Sequence, residues 1–180
     1  MSIPNFITKK STPKNITLGV VFILLVNMVI FPLFMTDKVH IGNILDLHFG
    51  FSSDEVLNVL SSMQKSGRKL YLLTTLLIDT PYALTYGFVY ALIIAALLKR
   101  NLTKANQFLI LPPFLISLFD LFENSGIVYF ILNYPNINPS AAKLISLSNQ
   151  LKWLFAGLTF ILILYLLLRM WMVKSTAGKG

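Results

Sequence analysis

LYLLTTLLIDTPYALTYGFVYALIIAALL, residues 70–98, carries one charged residue, Asp79, and is far too long for a strand. A run this long and this poor in charge exceeds the roughly 20 apolar residues that a helix needs to cross a bilayer. Three more windows meet the same requirement, at about 16–35, 107–132 and 141–173. The whole chain agrees: of its 180 residues 56% are hydrophobic and 12% charged, and its mean hydropathy of +0.72 exceeds what a soluble surface tolerates. The expectation is an all-α, polytopic membrane protein: a four-transmembrane-helix bundle forming a single integral membrane domain over residues 1–180.

Lys9, Lys10 and Lys14 ahead of the first apolar window resemble the start of a signal peptide. That window is longer than the usual 7–15 residues, and FPLFMTDKVH, residues 31–40, offers no small-residue cleavage site, so it reads as a retained helix. The chain has no cysteine, which excludes disulfides, thiolate metal sites, cysteine nucleophiles and palmitoylation.

The net charge of +8 is spread over loops and tails instead of forming one basic patch, which argues against a nucleic-acid partner. Membrane topology accounts for it. Lys9, Lys10 and Lys14, then Lys99, Arg100 and Lys104, then Arg169, Lys174 and Lys179 all fall on one side of a four-helix path. On the other side, NYPNINPSAA at 133–142 is uncharged, and Lys38, Lys65, Arg68 and Lys69 are offset by Asp37, Asp46, Asp54 and Glu55. Both termini are therefore expected in the cytoplasm. The sequons Asn15-Ile16-Thr17 and Asn101-Leu102-Thr103 would face the cytoplasm and stay unmodified.

In the outer loop, SSDEVLNVLSSMQK at 52–65 opens with a serine cap and two acids and sets Val56, Leu57, Leu60 and Met63 at helical spacing. A short amphipathic helix is expected there, as a brace on the membrane surface or a lid over the bundle. Gly67 would end it, Arg68 and Lys69 would sit at the headgroups, and Tyr71 would be an interfacial aromatic. Trp153 and Trp171 read as packing or interface anchors.

The polar residues inside the spans share faces. At about 100° per residue, Thr75, Asp79, Tyr82, Tyr86 and Tyr90 fall within a sector of roughly 80°. Ser117, Asp120 and Asn124 align on the third helix, with Glu123 about 60° from Asp120, and Ser148 and Lys152 align on the fourth. At about 1.5 Å rise per residue all four charged groups lie on the order of 15 to 20 Å below the outer surface. A charge at the bilayer centre costs about 2.5 to 3.5 kcal/mol on the most lenient scale, so these groups must face one another. Lys152 can pair with one carboxylate, Asp120 or Glu123. The remaining acids must be protonated, hydrogen-bonded by tyrosine and asparagine, or matched by a bound cation. Pro81 is expected to kink the second helix one turn from Asp79 and leave the Leu77 carbonyl free, whereas Pro112 and Pro113 are tolerated near a helix start. His40 and His48 lie in the loop, no span contains histidine, and no metal or cofactor is expected. HExxH, GxSxG and phosphate-binding glycine loops are absent.

The order of Gly67, Arg68 and Tyr71 (GRxxY), Asp79, Tyr82 and Tyr86 (DxxYxLxYG), Asp120, Glu123 and Asn124 (FDxxEN), Tyr134-Pro135, and Lys152 (LKW) resembles a family of small four-helix prokaryotic membrane proteins. That resemblance covers most of residues 45–155 and implies a prokaryotic inner (plasma) membrane. In topology the chain is also similar to the emopamil-binding-protein superfamily, which has four helices, an outer segment after the first, and acids with a proline in the second. Its members bind sterols or cationic amphiphiles within the membrane, and some isomerise a sterol double bond. The histidine and tryptophan positions associated with that catalysis have no counterpart here.

Three functions fit these residues. Asp79, Tyr82, Tyr86, Asp120, Glu123, Asn124 and Lys152 form a site that binds or translocates a proton, a cation or a cationic, lipid-like amphiphile. Alternatively Asp79 or Glu123 is the general acid/base of an enzyme acting on a lipid or isoprenoid. In the third, these groups tie helices together in a structural or assembly subunit. Besides the bilayer, a second copy is a possible partner, because four helices are few for a transporter acting alone.

Overall fold

A computed structural model of the chain describes residues 2–34, 39, 44–99, 103 and 106–177, without the side chains of 173–177. Asp37, Lys38, His40, Arg100, Asn101, Lys104 and Lys179, and the side chain of Lys174, lie outside that set. The described residues form helices and no strand: α1 (Ile3–Lys10), α2 (Pro13–Phe34), α3 (Ser53–Ser62), α4 (Lys65–Leu98), α5 (Pro112–Asn133) and α6 (Pro139–Ala177), with single turns of 3-10 helix at Leu45–Leu47 and Gln107–Ile110. Four helical stretches, Pro13–Phe34, Lys65–Leu98, Gln107–Asn133 and Pro139–Met172, are long and apolar enough to cross a membrane.

Proline marks helix starts throughout. Pro4, Pro13, Pro112 and Pro139 occupy first-turn positions, where the missing N–H has no intrahelical acceptor to lose. Asn138 caps α6 by accepting from the N–H groups of Ser140 and Ala141 through Oδ1.

Proline also explains two wide turns. Pro32 and Pro81 sit well inside α2 and α4, and each follows a π turn, Val26–Ile30 and Thr75–Asp79. At Pro81, where a kink is expected, the preceding turn is wider by one residue, a form of local disruption that proline within a helix favours. Thr80 tightens the second one, donating from Oγ1 to the Thr75 carbonyl at 2.8 Å.

The principal interfaces are α4 with α5 and α5 with α6; α2 leans on α4. Gly87 lets α4 and α5 approach closely, since a Cβ there would lie 1.9 Å from Ser117 Oγ and 2.8 Å from the Pro113 carbonyl oxygen. Ser117 Oγ in turn donates to the Ala83 carbonyl at 2.7 Å, tying α5 to α4. Phe119 and Phe155 stack between α5 and α6. Each end of the bundle carries a short helix. At one end α1, which the sequence reading did not anticipate, buries Ile7 among Ala91, Leu92, Leu98 and Ile110. At the other, α3 buries Val56 and Leu60 against Phe51, Ile127, Phe130 and Ala142. Its apolar face therefore rests on the helix ends of its own bundle.

The α3–α4 junction differs from expectation. Helix α3 ends at Ser62, Met63 is extended, and α4 already begins at Lys65, so Gly67 ends no helix and lies buried in the first turn of α4. Arg68 turns back instead of reaching outward. Its Nη1 donates to the carbonyls of Leu60 (2.9 Å) and Met63, and its guanidinium lies 4.2 Å from the centroid of the Tyr134 ring. The carbonyls at a helix C-terminus have no intrahelical donor, and a cation there meets both that need and the helix dipole. Tyr71 is 2% exposed and belongs to the core. Its side chain lies one turn before Thr75 on the inward face, so a polar tip has partners inside.

At the start of α3 the Ser52/Glu55 capping box is complete. The Ser52 N–H and hydroxyl donate to the Glu55 carboxylate and hold its pKa below the usual range. A carboxyl depressed in the folded state adds stability above its unfolded value and loses it as pH falls, so Ser52→Ala should flatten the acid limb of α3 unfolding followed by amide hydrogen exchange. Gly87→Ala should lower stability by about 1 to 3 kcal/mol through overpacking. Thermal melts in detergent check this against Gly157→Ala, whose Cβ meets nothing within 4 Å and which should cost no stability.

Candidate functional site

The charged residues of α5 and α6 converge on Lys152. Its Nζ lies 3.3 Å from Asp120 Oδ1 and forms a second ion pair with Glu123 Oε2. Asp120 and Glu123 are three residues apart on α5, one turn of one face, which lets a single ammonium bridge them. The remaining oxygens are also met. Tyr86 OH donates to Asp120 Oδ2 at 2.6 Å, and Asn149 Nδ2 donates to Glu123 Oε1 at 2.7 Å. The expectation that Lys152 serves one acid is therefore corrected: it serves two. Glu123 is 0% exposed.

A strap, residues 44–51, with a single turn of 3-10 helix at Leu45–Leu47, crosses this cluster and is held by side chains of α4 and α6. Leu45 N–H donates to Tyr71 OH (3.1 Å), which donates to Asp46 Oδ2 (2.6 Å). Lys152 Nζ donates to the Asp46 carbonyl at 3.2 Å. Further along, Gly50 N–H donates to Asn149 Oδ1 (2.7 Å) and Phe51 N–H to Ser146 Oγ (2.8 Å). Gly50 has φ +81°, a conformation that favours glycine. Asn149 thus links the strap to Glu123 through its two amide atoms. These bonds satisfy backbone groups that the single 3-10 turn leaves unpaired.

Beneath the strap lies a cavity of about 460 Å³. Its polar wall is the stripe on α4: Thr75, Asp79, Tyr82, Tyr86 and Tyr90, with Tyr71 and Thr74 continuing it toward the strap. Asp120, Lys152 and Asp46 close that end. The opposite wall is apolar, formed by Trp153, Ala156, Phe160 and Ile163 of α6, and Phe31 of α2. Helices α2 and α6 both contribute to the lining, and α2 packs chiefly on α4 while α6 packs chiefly on α5. Asn27 of α2 donates from Nδ2 to Tyr82 OH and holds that side to α4.

Of the residues expected at the site, Asp79, Tyr82, Tyr86, Asp120 and Lys152 line the cavity, while Glu123 and Asn124 stand behind its wall. Asn124 is 2% exposed and its amide interacts with Asp79, but neither Nδ2 nor Oδ1 makes a hydrogen bond of ordinary geometry. Asp79 has no lysine or arginine partner among the described residues. The site also contains residues the sequence reading left out: Asp46, Tyr71, Asn27, Trp153 and Thr159. Tyr71 was visible, one turn before Thr75 on the polar face. Thr159 shares a face with Lys152, seven residues on. Asp46 has no local signature, because a strap's path is set by long-range hydrogen bonds. His48 does not line the cavity.

With Asp46 included, four carboxylates surround one ammonium. Lys152 pairs with Asp120 and Glu123, whereas Asp79 and Asp46 line the cavity without an ion-pair partner among the described residues. No His, Asp or Glu grouping suited to a metal ion is present among the described residues. Comparison with family models, with curated proteins and with solved structures finds no match.

Removing the lysine leaves two buried carboxylates uncompensated, so Lys152→Met should destabilise the protein by about 3 to 5 kcal/mol in thermal unfolding in detergent. Adding Asp120→Asn and Glu123→Gln should recover most of the loss. Asp79→Asn, which breaks no ion pair, should melt within a few degrees of the parent protein.

Proposed function

We propose that the chain is a multi-pass membrane protein that takes a lipid-like, positively charged amphiphile from the bilayer into its cavity. The observation that carries this reading is Asp79: a carboxylate without a cationic partner, on the wall of a cavity whose other side is apolar. Structural glue needs no cavity and leaves no acid over. A charge at the middle of a bilayer costs about 2.5 to 3.5 kcal/mol, and a bound cation offsets it. A volume of about 460 Å³ is within the range of small-molecule pockets. The tyrosine rings on the polar wall can add cation-π attraction of about 0.5 to 2 kcal/mol.

In this reading a ligand enters between α2 and α6, the two lining helices that do not pack chiefly on each other. That side faces the hydrocarbon if the four apolar helices span, so the ligand slides in sideways with its tail against Trp153, Phe160 and Ile163. A water-soluble ion would gain nothing from that wall. Should the protein also transform its ligand, Asp79 is the group to do so, since Glu123 is fully enclosed and bound to Lys152 and Asn149.

Orientation follows from loop charge: both termini in the cytoplasm, with α3 and the strap on the outer side. Because the chain lacks cysteine, single substitutions report it directly. Ser61→Cys should react with a membrane-impermeant maleimide on intact cells, and Ser2→Cys only after lysis; the reverse pattern would invert the topology. Lipid mass spectrometry should find a cationic amphiphile bound to the purified protein and absent from Asp79→Asn. Equal small-molecule content in the two preparations would remove the case for a binding site.

A further inference from the structure

Every acidic residue of the chain lies either between Asp37 and Glu55 or inside a span, at Asp79, Asp120 and Glu123. The end of the bundle that carries Lys9, Lys10, Lys14, Lys99 and Arg169 holds none, and among the described residues only Lys152 forms ion pairs. Helix α1 brings these cations to one level. Its Ile7, 2% exposed, packs in one cluster with Leu98, Ile110 and Leu166, where α4 ends and the 3-10 turn leads into α5. Lys99 follows Leu98 directly, and Arg169 lies three residues beyond Leu166 on α6. Trp171, an exposed aromatic, stands about 3 Å further along at about 1.5 Å per residue, as a belt residue does at the headgroups.

The lysines of α1 are not on a loose tail. Ser11 Oγ donates to the Thr8 carbonyl at 2.8 Å, and the Lys10 carbonyl accepts from the Thr12 N–H at 2.8 Å and from Asn15 Nδ2 at 2.9 Å. These bonds fix the turn from α1 into α2 and hold Lys9, Lys10 and Lys14 around it. On the same helix Ile3 is 61% exposed and Phe6 44%. At about 100° per residue the two lie to the same side of Ile7, so α1 has an apolar edge that its own bundle does not cover. Water covers such an edge poorly, and a zwitterionic surface leaves the lysines without counter-charge. A short helix with one residue packed inward, an uncovered apolar edge and a basic end fits the boundary between acyl chains and acidic headgroups.

Resting on the reading that the four apolar helices span, and on nothing in the cavity, we propose that α1 is a docking surface for anionic lipid. Ile3 and Phe6 enter the acyl layer, and Lys9, Lys10 and Lys14 hold the phosphates of acidic headgroups. Each lysine near an acidic membrane surface strengthens the attraction about fivefold.

The test uses the full chain in lipid bilayers with Trp153→Phe and Trp171→Phe, which remove both native tryptophans, and Phe6→Trp, which puts an indole on α1. Dibrominated phosphatidylcholine or dibrominated phosphatidylglycerol is mixed in rising fraction into unlabelled phosphatidylcholine, and quenching of the indole gives the relative affinity of each lipid for that surface. Phosphatidylglycerol should bind there at least about threefold more strongly. Lys9→Gln, Lys10→Gln and Lys14→Gln together should bring the ratio to about one, as should raising the salt from about 0.05 to 0.5 M. Ile161→Trp in the same tryptophan-free background is the control: that position is exposed on a span and should be quenched alike by both lipids. Quenching at 161 without quenching at 6 would overturn the α1 surface and leave the spanning reading standing. Quenching at neither would overturn the spanning reading itself. Equal affinity of the two lipids at position 6, or a preference that survives the lysine substitutions or the salt, would sink the role of the lysines. If the triple lysine variant does not yield folded protein, the salt series on the chain with its lysines intact decides the question alone.

Discussion

One ammonium shared by two carboxylates constrains the rest of the molecule. Charges this deeply enclosed are tolerable only when their partners are held at contact distance, because removing water from them costs several kcal/mol per ion. Lys152 therefore fixes how α6 lies against α5, and with it the stacking of Phe119 on Phe155. Through Asp120 it sets the height of Tyr86 on α4. Through the Asp46 carbonyl it holds the strap. Three helices and a loop converge on one nitrogen, and the cavity is the space their convergence leaves.

Much of this arrangement could be read from residue spacing. The four apolar windows, the capping box ahead of α3 and the tyrosine stripe of α4 all follow from local chemistry, and periodicity alone brought Asp79, Tyr82 and Tyr86 to one face. What could not be read depended on contacts distant in sequence. Asp46 looked like a loop charge balancing a neighbouring lysine, yet it sits among residues more than twenty positions away because Tyr71 and Lys152 hold it there. Arg68 looked like a headgroup anchor, and the carbonyls at the end of α3 claimed it first. Helix α1 was hidden by its shortness: three lysines so close to an apolar run read as topology before they read as structure.

The residue pattern that suggested a four-helix family acquires a physical meaning in the fold. Arg68 lies over the Tyr134 ring where α3, α4 and the end of α5 meet. Tyr71, Asp79, Tyr82, Tyr86, Asp120 and Lys152 line one cavity, and Glu123 and Asn124 support its wall. Every block of the pattern thus lies at the cavity or where α3, α4 and the end of α5 meet.

The π turns of α2 and α4 have a consequence for how such a wall is inherited. Each contains one residue more than an α-helix needs, so each absorbs an extra residue within a single turn. Deleting one residue from Thr75–Asp79 would let that turn relax to ordinary helix, and the four residues left, at about 100° each, would cover nearly the rotation that the wide turn covers now. Tyr71 would keep its place under the strap, and Tyr82, Tyr86 and Tyr90 would still face Asp120. A deletion in the regular helix between Pro81 and Tyr86 has no such slack and would turn everything beyond it by about 100°. The geometry of the cavity is therefore encoded in counting as much as in chemistry, and the wide turn is the one place in that wall where the count can change.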